Sequence, residues 1–182
     1  MTSNPEQHHG GAPEEGERLS INSIVIPSGE EYELRQDEIG SSSLPDYQRR
    51  VGGLIEHIGF NQPAASMYVN EEGKINELPL NRRATLLVWM HNPAFRYQDI
   101  IVGDALLTGP ADEHGRDTNV PDELSRTLFE AKHFRPEVQV YGESGWHTNS
   151  RRFDNWVDAY SYVLDLGRRW TSVEDVRVVP EA

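Results

Sequence analysis

The residues best placed to do chemistry lie in Leu78-Pro79-Leu80-Asn81-Arg82-Arg83-Ala84-Thr85. Asn81 is a strong helix N-cap, which places Arg82 and Arg83 in the first turn of the helix it opens. A helix N-terminus carries free N–H groups and partial positive charge, so it attracts anions. Two arginines there oppose the dipole, and an anionic ligand or an acidic partner side chain would relieve the conflict. The chemistry expected is anion binding by Asn81, Arg82 and Arg83, with Gly52 and Gly53 allowing close backbone approach. The competing reading, two solvated arginines paired with abundant carboxylates, stays open. Arg151 and Arg152 precede the last helix, again oppose its dipole, and are expected as a secondary anion contact. Arg168-Arg169 follow a helix C-terminus, where positive charge is structurally favoured, and Arg49-Arg50 are expected on the outer face of a helix.

Other constellations fail on spacing. The loop Asp112-Glu113-His114-Gly115-Arg116-Asp117 collects hard ligands but matches neither an EF-hand nor a zinc motif, and Arg116 sits in its middle. Gly142-Glu143-Ser144-Gly145 follows a strand pattern, but its second glycine falls one position early for a nucleophile elbow. There is no P-loop, no dinucleotide fingerprint and no HExxH, and His8-His9 stand in a polar tail. The expectation is a chain with no catalytic residues, no metal and no cofactor, leaning away from an enzyme.

Composition narrows the partners. The 182 residues hold 17 Lys and Arg against 30 Asp and Glu, a formal charge of -13. Duplex nucleic acid needs a basic surface, so none is expected to bind directly. Only Lys74 and Lys132 are lysines, leaving a positive charge that is nearly all planar, bidentate arginine. The absence of cysteine excludes disulfides and thiolate chemistry. No apolar run is long enough for a bilayer, and residues 1–18 have no signal-peptide pattern, so a cytoplasmic protein without a membrane partner is expected.

The pattern along the chain is that of an α+β protein: a mixed or antiparallel sheet packed by a few helices, with a smaller C-terminal strand–helix–strand unit. Residues 1–20 read as a disordered leader, 21–110 as an α+β core, 111–132 as a connection with a short helix, and 133–182 as a β-α-β unit. Ser23 to Pro27 and Glu31 to Arg35 are expected to pair as a hairpin, with 36–42 connecting onward. Leu44, Tyr47, Val51, Leu54, Ile55 and Ile58 form a helical stripe, capped by Ser43 and closed by Gly59, with Gly52-Gly53 inside it. Strands follow at 66–70 and 75–78, joined by a turn at Gly73. A buried helix is expected from Arg82 to Met90 and a core strand over 99–109, bent at Gly103-Asp104. Pro121 opens a short helix. Beyond it, Val138 to Tyr141 is a strand, and the last helix puts Trp156, Ala159, Tyr160, Val163 and Leu164 on one face. A final strand spans 176–179.

Four motifs in order, Val51-Gly52-Gly53-Leu54-Ile55-Glu56, Tyr68 to Lys74, Leu78 to Thr85 and Asp99 to Gly109, resemble a small domain of unknown function. That family is carried by bacteriophages, plasmids and actinobacterial hosts, and the resemblance spans roughly 21–110. It implies no activity and no catalytic residues. It does imply a setting in which small accessory proteins act by binding. The leading expectation is a non-catalytic accessory protein that binds and antagonises or modulates a host or defence factor, by sequestering a nucleotide-like anion. One alternative is an acidic protein-binding inhibitor or nucleic-acid mimic; another is an enzyme processing a nucleotide or phosphoester. A homo-oligomer is compatible with each.

Overall fold

A computed structural model of the chain describes residues 19–181, so most of the expected leader, with His8-His9, lies outside the described residues. The described residues form an α+β protein with two antiparallel sheets. Five strands, β1 (Ser20–Ile26), β2 (Arg35–Gly40), β3 (Ile55–Asn61), β4 (Ala64–Asn70) and β5 (Ala105–Thr108), form a sheet in the order β2-β1-β5-β4-β3. Three more, β6 (His133–Val140), β7 (Trp146–Thr148) and β8 (Val173–Glu181), form the second, in the order β7-β6-β8. The helices are α1 (Leu44–Val51), α2 (Arg82–His91), α3 (Asp122–Phe129) and α4 (Trp156–Arg169).

Strand periodicity sorts the large sheet into two faces. Ile24, Ile26, Met67, Val69, Ala105 and Leu107 point one way, into a cluster completed by Ala84, Leu87 and Val88 of α2. Ile21, Val25, Leu106 and Tyr68 point the other way, against Tyr47 and Val51 of α1. The first cluster continues without a break into Phe134, Val138, Ala159, Tyr160, Val163 and Leu164, so the C-terminal sheet and α4 share the core of α2. Every residue of the expected α4 stripe is buried.

Several sequence expectations are corrected. The helix expected over 44–58 stops at Val51: Gly52 takes a left-handed conformation, φ +74°, and its N–H bonds the Gln48 carbonyl at 2.9 Å. A glycine in that conformation ends a helix where the apolar stripe alone would extend it. Residues 55–61 are β3, with Ile58 and Phe60 buried at period two, and Gly59 lies within the strand rather than at a helix end. Ser43 occupies the N-cap position of α1 but makes no capping bond with its side chain. The second strand of the first hairpin is 35–40, not 31–35, because the carbonyls of Pro27, Gly29 and Tyr32 are gathered into a turn by Arg83. Nor do residues 75–78 form a strand. β4 pairs instead with β3 before it, and Ile75 is 82% exposed, with no core to enter. Of the strand expected over 99–109 only 105–108 is regular; Val102 makes a single bridge to Leu80, and Gly103 bends the chain at φ +73°.

Candidate functional site

The Asn81–Arg83 motif opens α2 as expected, but its three side chains have different fates. Asn81 is fully buried. Its Oδ1 accepts from the Ala84 N–H at 3.0 Å, and its Nδ2 donates to the Ile26 and Gly103 carbonyls, both at 2.9 Å. The side chain thus caps the helix and ties it to β1 and to the approach to β5. Arg83 donates through Nη1 to the Tyr32 carbonyl at 2.8 Å and through Nη2 to Pro27 and Gly29 at 2.7 and 2.8 Å. Its Nε is buried without a partner among the described residues, and burial holds the guanidinium below its ordinary pKa. Arg82 differs. It is half exposed and, among the described residues, anchored by one bond, Nη2 to the Ser161 hydroxyl at 3.1 Å, with Glu30 at 3.9 Å. A guanidinium has five N–H donors, so Arg82 keeps several for a ligand.

Arg82 stands in a groove of about 430 Å³ between α2 and α4. Leu80, Leu86, Ile100 and Leu164 give it an apolar lining, and Leu80 and Ile100 are 52% and 44% exposed. Trp89 and Tyr97 form an aromatic wall, their ring centroids 5.0 Å apart and edge-on. Both rings are tethered: Trp89 Nε1 donates to the Asp99 carbonyl at 2.6 Å, and the Tyr97 hydroxyl donates to the Leu164 carbonyl. Tyr97 has φ +62°, a left-handed conformation that is an outlier for a bulky residue and costs about 1–3 kcal/mol. At the far end Asp165 meets Arg168 at 3.4 Å and Arg169 at 2.8 Å. The volume is within the range of small-ligand sites, roughly 300–1,000 Å³.

The other expected anion contacts are elsewhere. Gly52 lines a separate cleft of about 280 Å³ with Arg49, Arg50, Ser28 and Asp104. Gly53 makes room for Asn70, since a Cβ there would lie 2.5 Å from Asn70 Nδ2. Arg151 lies over the Tyr162 ring at 4.9 Å, and Arg152 donates to Glu181 at 2.9 Å. The structure therefore leaves Arg82 facing a groove, with Gly52, Gly53, Arg151 and Arg152 outside it.

Two features are not legible in the sequence. Tyr97 and Asp165 carry no local motif; they meet at the groove only through the packing of α4. The second feature is polar and buried. Asp117 accepts at Oδ2 from the hydroxyls of Tyr47 and Tyr68, at 2.6 and 2.7 Å. Burial, reinforced by the carboxylate, raises both phenols well above their ordinary pKa and keeps them protonated as donors. The loop carrying Asp117 is further pinned by Ser41 and Ser42, which bond its carbonyl and N–H. This network locks a loop rather than offering a reaction centre. Among the described residues no cluster of three or more His, Asp or Glu could hold a metal ion, and no helix is long and apolar enough to cross a membrane.

An α+β domain with two antiparallel sheets, a carboxylate-locked loop and a helix-walled groove is the class of protein these features define. The chain belongs to the family described as a domain of unknown function, DUF3846, whose model matches residues 21–133. The match runs past the resembling segment 21–110 and takes in α3. No curated protein and no solved structure matches the chain. The match ends at the first residue of β6, so α2 is inside it while α4, the opposite wall of the groove, is beyond it.

Proposed function

We propose that this chain is a non-catalytic binding protein that holds a small anionic ligand in the α2–α4 groove. In the mobile-element setting that its resemblance implies, it acts by withholding that ligand from a host or defence factor. The observation that carries the reading is Arg82: a guanidinium fixed by Ser161, with donors left over, at the edge of an apolar groove in a chain of net charge -13. A fixed cation beside an apolar surface favours an anion with an apolar body, because each half of such a ligand is matched. The target, a host or defence factor, rests on the resemblance alone.

The test compares native and denatured masses of gently purified protein. A discrete excess that vanishes on denaturation, and in Arg82→Ala at an unchanged melting temperature, is the expected result. A retained ligand that Arg82→Ala leaves untouched would move the site elsewhere.

A further inference from the structure

We infer that the ligand of this groove is an amino-bearing purine mononucleotide, with its phosphate on Arg82 and its base between Tyr97 and Asp165. The inference rests on the groove being the binding site and names what the groove reads. Its chemistry is ordered from end to end. Arg82 and Ser161 make a cationic, hydrogen-bonding end. Two helical turns further along α4, roughly 10 Å, Arg168 closes the other end with Asp165 beside it. Tyr97 lies towards that second end, its hydroxyl on the Leu164 carbonyl. There Asp165 already pairs with Arg168 at 3.4 Å and with Arg169 at 2.8 Å, so both cations of that end are engaged, whereas Glu30 comes no nearer to Arg82 than 3.9 Å. The anion therefore goes to Arg82 and the neutral part of the ligand to Tyr97.

Three properties of the second end suit a base. Tyr97 is 38% exposed and held by its tether and by Trp89, which gives a preformed face for stacking. Asp165 is an acceptor for an exocyclic amine of adenine or guanine. Arg168, beside it, supplies a planar cation that stacks on aromatic faces. The length favours a mononucleotide over a peptide helix, since two turns of α4 span the whole groove. Glu30, 3.9 Å from Arg82, is the carboxylate that a phosphate displaces.

The experiment is calorimetric titration of the full chain with AMP, GMP, ribose 5-phosphate and inorganic phosphate, with Trp fluorescence as a second readout. At least one purine nucleotide should bind about tenfold or more tightly than ribose 5-phosphate, the size of one stacked base. Arg82→Ala should weaken that nucleotide by about tenfold. Tyr97→Leu should remove the advantage over ribose 5-phosphate. If Tyr97→Leu does not fold, Leu80→Glu, at an exposed groove position, should abolish nucleotide binding at an unchanged circular dichroism spectrum. Equal affinity for nucleotide and ribose 5-phosphate overturns the inference and leaves the groove as an anion site. Absence of nucleotide binding, alongside an Arg82-dependent mass excess from another ligand, overturns it in the same way. If no probe binds and no mass excess depends on Arg82, both readings fall.

Discussion

The phenol of Tyr47, in α1, donates to the carboxylate of Asp117 at 2.6 Å across a sequence separation of 70 residues. Tyr68 donates to the same oxygen from β4, so one buried acid fastens the 110–120 loop to both a helix and the sheet. Hydrogen bonds to an ionised acceptor are worth about 1.5–3 kcal/mol each, and leaving buried phenols without a partner costs more than replacing them. Asp117→Ala should therefore destabilise the fold by about 3 kcal/mol or more, and Tyr47→Phe or Tyr68→Phe by about 1–2 kcal/mol each. Urea unfolding measures both. If one of the two single changes costs nothing, and the double mutant Tyr47→Phe with Tyr68→Phe costs no more than the other, the acid is held by one phenol alone.

The neighbours Arg82 and Arg83 should separate cleanly. Arg82→Ala removes a half-exposed side chain with one internal bond and should change stability by no more than about 0.5 kcal/mol. Arg83→Ala takes the guanidinium away from three carbonyls of the 27–32 turn, of which Gly29 keeps the Tyr32 N–H at 3.2 Å, and should cost about 2–3 kcal/mol. Thermal denaturation of the two single variants decides this, and equal melting temperatures would refute the division of labour.

His91 gives the fold a defined acid sensitivity. Its Nδ1–H donates to the Gln62 carbonyl at 2.8 Å, which leaves Nε2 to accept the Tyr160 hydroxyl at 3.1 Å, so the ring is held neutral. Burial pushes its pKa down from 6.5 to about 4. Between these values the unfolded chain binds the extra proton and the native state does not. Stability from this group is thus complete above about pH 6.5, falls as the pH drops towards 4, and is constant below that. The loss is no more than about 3 kcal/mol. Urea midpoints measured between neutral pH and the acid limit should show this slope, reduced in His91→Gln.

Gly109 is a glycine whose replacement the fold should tolerate badly. A Cβ there would lie 2.1 Å from the Asn119 carbonyl oxygen, which is backbone and cannot swing aside. At Gly115, by contrast, a Cβ meets nothing among the described residues, although φ is +74°. Gly109→Ala should cost more than about 3 kcal/mol or prevent folding, and Gly115→Ala about 1 kcal/mol. Expression yield and melting temperature of the two variants test the contrast.

The nucleotide assignment adds a specificity prediction. Asp165→Asn keeps the size of the side chain but removes the charge that repels phosphate from the Tyr97 end and engages Arg168 and Arg169. The variant should bind inorganic phosphate more tightly and discriminate less between nucleotide and phosphate. Calorimetry at constant ionic strength reads both changes, and unaltered selectivity would remove Asp165 from the recognition set.

Local signals alone determine several parts of this protein. Asn81 capping α2, the apolar stripe of α4 and the alternation in β4 are visible because capping and periodicity act over a few residues. The same kind of signal fails at 44–58, where apolar residues compatible with one helix are divided by Gly52 into a helix and a strand. It fails again at 31–35, where alternation is overridden by Arg83 gathering carbonyls from a turn far away in sequence.

The sequence also marks Arg82 and Arg83 as one pair, and only the tertiary structure tells them apart. One guanidinium is enclosed by the loop after β1 and the other faces α4, because the fate of a side chain depends on which elements pack against its turn of helix. The groove position of Tyr97 is invisible in the sequence for the same reason, and so is the tyrosine pairing of Asp117, which the sequence shows only as one hard ligand of the 112–117 loop. Their bonding partners, Leu164 and Tyr47, lie 67 and 70 residues away, and no local pattern encodes a contact over that distance.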